Sequence, residues 1–168
     1  YIVEFLVNQG VKHVFGTTGG AIIHTFDSIG KRNDIKYICS QHEQASAMAA
    51  DGYSRVTKNI GVAIATSGPG ATNLLTGTCS SYYDSIPVLN ITGQVTTKKL
   101  RKDKLIRQVG FQETPIVDIY RPITKYAVLI EDKEKLKYEL EKAVYIARTG
   151  RPGPVLLDIP DDIQRSEI

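Results

Sequence analysis

The sequence predicts an α/β protein, a three-layer α/β/α sandwich built on a parallel sheet of about six strands. Three observations carry this reading. The apolar segments are nearly unbroken runs, such as VAIAT and PVLNIT, as strands covered on both faces require. The order strand, glycine-containing turn, helix recurs along the chain. At 168 residues and 42% hydrophobic, the chain can fill one core but not two, so residues 1–168 are expected to form a single domain.

The chain opens inside an amphipathic helical pattern, with Ile2, Phe5 and Leu6 on one side, and its first residue is Tyr1 rather than Met, which predicts a fragment of a longer protein. Residues 13–15 read as a strand running into Gly16, Thr17, Thr18, Gly19 and Gly20. Glycines at such a turn let the backbone approach a ligand closely. A helix over 21–29 follows, then a strand over 35–39 and a helix rich in Ala45, Ala47, Ala49, Ala50 and Gly52, residues suited to close packing. Glu43 opens that helix, where a carboxylate is favoured by the macrodipole, so it reads equally as a helix cap and as a functional acid.

Residues 61–66 form the next predicted strand, leading through SGPG into a helix over 71–83, and residues 86–92 the one after it. Residues 95–110 are polar and basic; at about 16 residues they are long for a connection and are expected to lack buried anchors and to be mobile. Thr114 and Pro115 suit a helix start. Residues 124–130 read as a strand, and residues 132–147 as a charged amphipathic helix with Leu136, Leu140, Val144 and Ala147 inward. GRPGP then sets up a last strand over 155–159, after which IPDDIQ breaks the regular pattern.

Composition excludes several classes. Net charge is +3, but Lys98, Lys99, Arg101, Lys102, Lys104 and Arg107, interrupted by Asp103, supply +5 of it within ten residues and leave −2 for the rest. No aromatics interleave these cations, so the stretch predicts a solvated loop or an anionic-substrate funnel and no nucleic-acid partner. No apolar run approaches the roughly 18 residues of a membrane span and no leader is visible, so neither membrane nor secretion is indicated. Cys39 and Cys79 sit in no metal or redox spacing and are expected to be buried, reduced thiols of a cytoplasmic protein. There is no GxSxG, no HExxH and no Walker A, since SGPGATN lacks its lysine, and GTTGG is not GxGxxG. What remains is a set of loops that follow strands, at 16–20, 41–43, 66–70 and from Gly93 on. In an open parallel sheet that is the edge where ligands bind.

The segments FGTTGGAIIHTFD, SQHEQASAMAADGYSRV, IATSGPGATNLLTG, DSIPVLNITGQV, GFQE and TGRPGPVLLDIPDDIQ, in this order, resemble the N-terminal pyrimidine-binding domain of thiamine diphosphate-dependent enzymes. Among these the likeness is greatest to the acetolactate synthase large subunit, and it runs from Val11 to about Gln164. The resemblance implies the thiamine diphosphate-binding fold. It implies that Glu43 is catalytic, hydrogen-bonding a ring nitrogen of the cofactor's aminopyrimidine and promoting the tautomer that activates the thiazolium carbon. Burial beneath the cofactor would suit that carboxylate to sharing a proton with a weak base. Thr66, Pro69, Asn73 and Gln112 would line the cleft, and Gly19 and Gly20 would let the turn approach the ring.

Arg151 matches a position that contacts FAD in acetolactate synthases, where the flavin has a non-redox role, and it reads equally as a brace for the Gly-Pro turn. The resemblance further implies Mg²⁺ held with the cofactor diphosphate by a separate C-terminal domain, whose GDG motif this chain lacks, so no metal ligand is assigned here. The implied partners are a 2-oxo-acid substrate, the enzyme's own C-terminal domain, and further copies in a homodimer or tetramer meeting through the helices that begin near Glu43 and Ala71. The implied reaction, in branched-chain amino acid biosynthesis, decarboxylates pyruvate and joins the remaining unit to a second oxo acid; the fragment alone is expected to be inactive. Two departures stand out. Thr17 and Thr18 replace a Tyr-Pro pair, and the stretch before GFQE is longer and more basic. They keep two alternatives open: the same cofactor with another substrate, in an oxo-acid decarboxylase or a sugar-pathway lyase, or a non-catalytic structural or regulatory relative.

Overall fold

The computed structural model describes residues 1–103 and 105–168; Lys104 of the basic stretch lies outside the described residues. In chain order the elements are α1 (Ile2–Asn8), β1 (His13–Gly16), α2 (Ile23–Gly30), β2 (Lys36–Cys39), α3 (Glu43–Thr57), β3 (Gly61–Ala65) and α4 (Pro69–Asn73). There follow α5 (Leu75–Asp84), β4 (Val88–Gln94), α6 (Ile116–Tyr120), β5 (Tyr126–Leu129), α7 (Leu136–Arg148), β6 (Val155–Pro160) and α8 (Asp161–Gln164).

The six strands form one all-parallel sheet in the order β2-β1-β3-β4-β6-β5. β3, β4 and β6 are buried along their whole length, which is why they are largely apolar, and the polar residues that they do carry, Asn90, Thr92, Gln94 and Asp158, are buried too. One face of the sheet packs through Val62, Ile64, Leu89, Ile91 and Leu157 against α1, α2 and α7. The other packs through Ala63, Ala65, Val88 and Leu156 against α3, α4 and α6. The expected three-layer sandwich is therefore the fold. Neighbouring strands β1 and β3 pair at Phe15↔Ala63 and Gly16↔Ile64, and the helices that follow them leave toward opposite faces. The crevice between the two is a topological switch point, where side chains from both layers can meet a ligand.

Several expectations need correction. β2 is an edge strand, hydrogen-bonded only to β1, and all four of its residues are exposed. Cys39 is consequently exposed and Cys79 half-buried, rather than both being buried. Ile35, just before the strand, is the residue of that apolar run that enters the core. The helix expected over 71–83 is divided into α4 and α5 at Leu74, whose N–H makes a tighter bond to the carbonyl of Ala71 (3.3 Å). IPDDIQ does not end the regular structure but opens α8.

The 95–110 stretch, expected to lack buried anchors, has them among its described residues. The Thr97 N–H and hydroxyl both donate to the Asp162 carboxylate (2.9 and 2.5 Å), and Glu113 accepts from the N–H groups of Arg101 (2.7 Å) and Val109 (2.8 Å). The small residues of α3 and α5 meet each other inside the chain: Gly77 leaves no room for a Cβ against Ala47. Among the described residues, no helix is long and apolar enough to cross a membrane.

Candidate functional site

Four loops leave the carboxyl ends of β1 to β4 and converge on the crevice. At the first turn of α3 the cap is not Glu43. His42 is extended (φ −148°, ψ 138°) and its Nδ1 accepts from the N–H of Gln44 (3.2 Å), while the Ser40 hydroxyl donates to the His42 carbonyl (2.8 Å). With the cap supplied by its neighbour, the Glu43 carboxylate turns toward α4. Its Oε2 accepts from Asn73 Nδ2 at 2.9 Å, and among the described residues no donor reaches Oε1. Glu43 is half-buried.

The β1 and β3 loops touch across the crevice. Thr66 Oγ1 accepts from the Ala21 N–H (3.2 Å), and a Cβ on Gly19 would stand 2.5 Å from Thr66 Cβ, so only glycine allows this approach. Gly20 belongs to the same turn on its open side, with nothing within 4 Å of where its Cβ would be. A Cβ on Gly70 would lie 2.8 Å from Thr66 Cγ2 and 3.4 Å from Glu43 Oε1, so the wall beside the carboxylate is bare backbone. Thr17 reaches the β2 loop, donating to the Ser40 carbonyl at 3.1 Å.

Gly68 adopts φ +62° and places Pro69 at the first turn of α4. Gln112 is itself left-handed (φ 60°), and its carbonyl would be 2.8 Å from a Cβ on Gly68, so the two turns lie directly on each other. Gly19, Glu43, Thr66, Pro69, Asn73 and Gln112 thus come together at one edge of the sheet, with Gly20 at its opening. Arg151 does not join them. It precedes β6, at the opposite edge, where it donates to Ser85 Oγ (2.6 Å) and the Tyr83 carbonyl (3.2 Å) beside a cavity of about 230 Å³ lined by Tyr82, Tyr83, Lys125 and Pro152.

Sequence reasoning passed over Asp158 and Gln94. Asp158 is 1% exposed, and burial pushes its carboxyl up to about 7, opposed by donors from Thr92 Oγ1 (2.7 Å) and Gln94 Nε2 (2.9 Å). It borders a cavity of about 330 Å³ with Leu100, Arg101 and Pro115. The signal was there, since a lone acid inside the apolar run VLLDIP requires buried partners.

The family described as "Thiamine pyrophosphate enzyme, N-terminal TPP binding domain" matches residues 1–119. The chain is 43% identical over 162 residues to the acetolactate synthase large subunit of Buchnera aphidicola (subsp. Schizaphis graminum), covering 96% of this chain and 27% of the relative. It is also 43% identical over 162 residues to the acetolactate synthase isozyme 3 large subunit of Escherichia coli K12, with the same coverage. To the chloroplastic acetolactate synthase 2 of Nicotiana tabacum it is 44% identical over 164 residues, 98% of this chain and 24% of the relative. The chain thus spans about a quarter of the length of these relatives. An all-parallel six-stranded sandwich, a glycine-lined crevice at its switch point and a family match over residues 1–119 lead to one conclusion: the chain belongs to the thiamine pyrophosphate enzymes, as their N-terminal TPP binding domain.

Proposed function

We propose that this domain supplies the pyrimidine-binding half of the active site of a thiamine diphosphate-dependent enzyme that decarboxylates a 2-oxo acid and joins the remaining fragment to a second oxo acid, as the name acetolactate synthase implies for its relatives. The observation that carries this reading is the Glu43 carboxylate. It is relieved of capping by His42, held through one oxygen by Asn73, and open at the other beside bare backbone at Gly70.

The residues fit the cofactor. A flat heterocycle needs room next to a proton-sharing acid, and Gly19 and Gly70, whose backbone packs on Thr66 where no Cβ fits, add no side chain to that wall. Glu43 would hold a proton between Oε1 and a ring nitrogen, while Asn73 keeps the carboxylate in one orientation. Gly19 and Gly20 would admit the ring edge, and Thr66, Pro69 and Gln112 would line the cleft. When bound, thiamine diphosphate supplies the electron sink for decarboxylation. Its diphosphate and Mg²⁺ would be held by the enzyme's C-terminal domain, in a dimer or tetramer, and Arg151 would meet FAD at the far edge beside Tyr82 and Tyr83. We place the enzyme in the cytoplasm, in branched-chain amino acid biosynthesis.

The basic stretch 95–110 favours a second reading, in which the same cofactor serves a different substrate. Product analysis of the full-length enzyme decides between them: acetolactate from pyruvate supports the first, and a simple aldehyde or no reaction with pyruvate supports the second.

A further inference from the structure

The buried acid Asp158 does not reach the Glu43 cleft, yet one residue connects it to the cleft's lining. Gln94, at the end of β4 and 1% exposed, spends its side-chain amide on three partners. Its Nε2 donates to Asp158 Oδ2 (2.9 Å) and to the backbone carbonyl of Thr114 (3.0 Å), and its Oε1 accepts from the N–H of Val95 (3.0 Å). The two backbone groups belong to opposite ends of the 95–114 excursion. The amide therefore clasps the start of the loop to its finish.

Orientation is what makes the clasp work. A buried amide turned end for end would aim its N–H₂ at the Val95 N–H, leaving that donor unsatisfied, and its oxygen at the Thr114 carbonyl, which would keep only the local Ile116 N–H (2.8 Å). When ionised, Asp158 reinforces the observed orientation, because a carboxylate whose other oxygen is engaged by Thr92 can only accept at Oδ2. Between the clasped ends lies the turn in which the Glu113 N–H bonds the Gly110 carbonyl (3.1 Å) and Gln112, left-handed, rests on the left-handed Gly68.

We infer that Gln94, oriented by the buried carboxylate of Asp158, is a positioning residue that holds the Gln112 turn over the SGPG turn and so sets the shape of the cleft at that wall. The catalytic part of this inference rests on the function proposed above; the clasp does not. A side chain misplaced by about 1 Å near a reacting centre costs up to about a hundredfold in rate.

The test compares two variants of the full-length enzyme. Gln94→Met and Thr92→Val each leave one Asp158 oxygen without its donor, so their cost to the buried acid is alike. Only Gln94→Met cuts the tie between the Thr114 carbonyl and β4, leaving that carbonyl the local Ile116 N–H and the Val95 N–H without its acceptor. Hydrogen exchange read on a peptide covering residues 108–116 should lose protection about tenfold in Gln94→Met and stay at the wild-type level in Thr92→Val, with kcat about tenfold or more lower only in the former. If Gln94→Met does not fold, Asp158→Ala removes the orienting acceptor without leaving a buried charge unpaired, and the same local loss is expected. Equal protection in all variants, or equal loss in Gln94→Met and Thr92→Val, overturns the clasp. Selective loss of protection with unchanged kcat upholds the clasp and overturns instead the place of Gln112 in the reaction.

Discussion

Two carboxylates separate by environment into different tasks. Glu43 is half-buried, with one hydrogen-bond donor and an open oxygen, which is the condition for sharing a proton with a ligand. Asp158 is buried with both oxygens engaged, which is the condition for organising its neighbours. Because burial lifts Asp158 to about 7 and the unfolded chain returns it to about 4, the native state binds more protons across that window. Its contribution to stability is therefore fully present below pH ~4 and is lost as pH rises through ~7. Asp158→Asn has no such dependence. Denaturant unfolding of the domain between pH 4 and 8 should show the variant gaining on the wild type by up to about 1.4 kcal/mol per pH unit within the window; parallel curves would contradict the assignment.

Among the elements, the start of α3 shows how a side chain is freed from capping. A helix N-terminus needs an acceptor, and with His42 supplying it Glu43 is available for other work, a division that the bare spacing of HEQ does not reveal. The 95–110 excursion shows the converse, a polar stretch that reads as unanchored but is tied by two acids outside it, Asp162 far along the chain and Glu113 just past its end. Glu113, 9% exposed, closes it by accepting from Arg101 and Val109, contacts set by the fold. Glu113→Gln keeps one acceptor and loses the other. It should raise hydrogen exchange at Arg101 or Val109 several-fold and lower stability by about 1 kcal/mol; unchanged exchange at both amides would contradict the closure.

For the whole molecule, the parallel sandwich was legible because β3, β4 and β6 are buried on both faces and are mostly apolar, with Asn90, Thr92, Gln94 and Asp158 as buried polar exceptions. The exposure of β2 and Cys39 was not, because which strand lies at the edge depends on strand order and not on local pattern. Gly19, Glu43, Thr66 and Pro69 meet because they follow strand ends that the turns mark in the sequence, whereas Asn73 is brought in by α4 and Gln112 by the return of the excursion after β4. The Asp158 cluster escaped because its partners, Thr92 and Gln94, lie 66 and 64 residues away. The chain spans only about a quarter of its relatives' length. The isolated domain should consequently bind thiamine diphosphate weakly, since the affinity of such a ligand comes chiefly from its metal-bound diphosphate. Calorimetry with Mg²⁺ giving micromolar or tighter affinity would contradict this.

The central claim, that Glu43 activates the cofactor through its pyrimidine, is tested most directly by the rate at which the thiazolium carbon of bound thiamine diphosphate exchanges hydrogen for deuterium in the full-length protein. Glu43→Gln retains size and a hydrogen bond to Asn73 but cannot share the proton. The account predicts an exchange rate lower by orders of magnitude with the cofactor still bound, whereas exchange at the wild-type rate would contradict it.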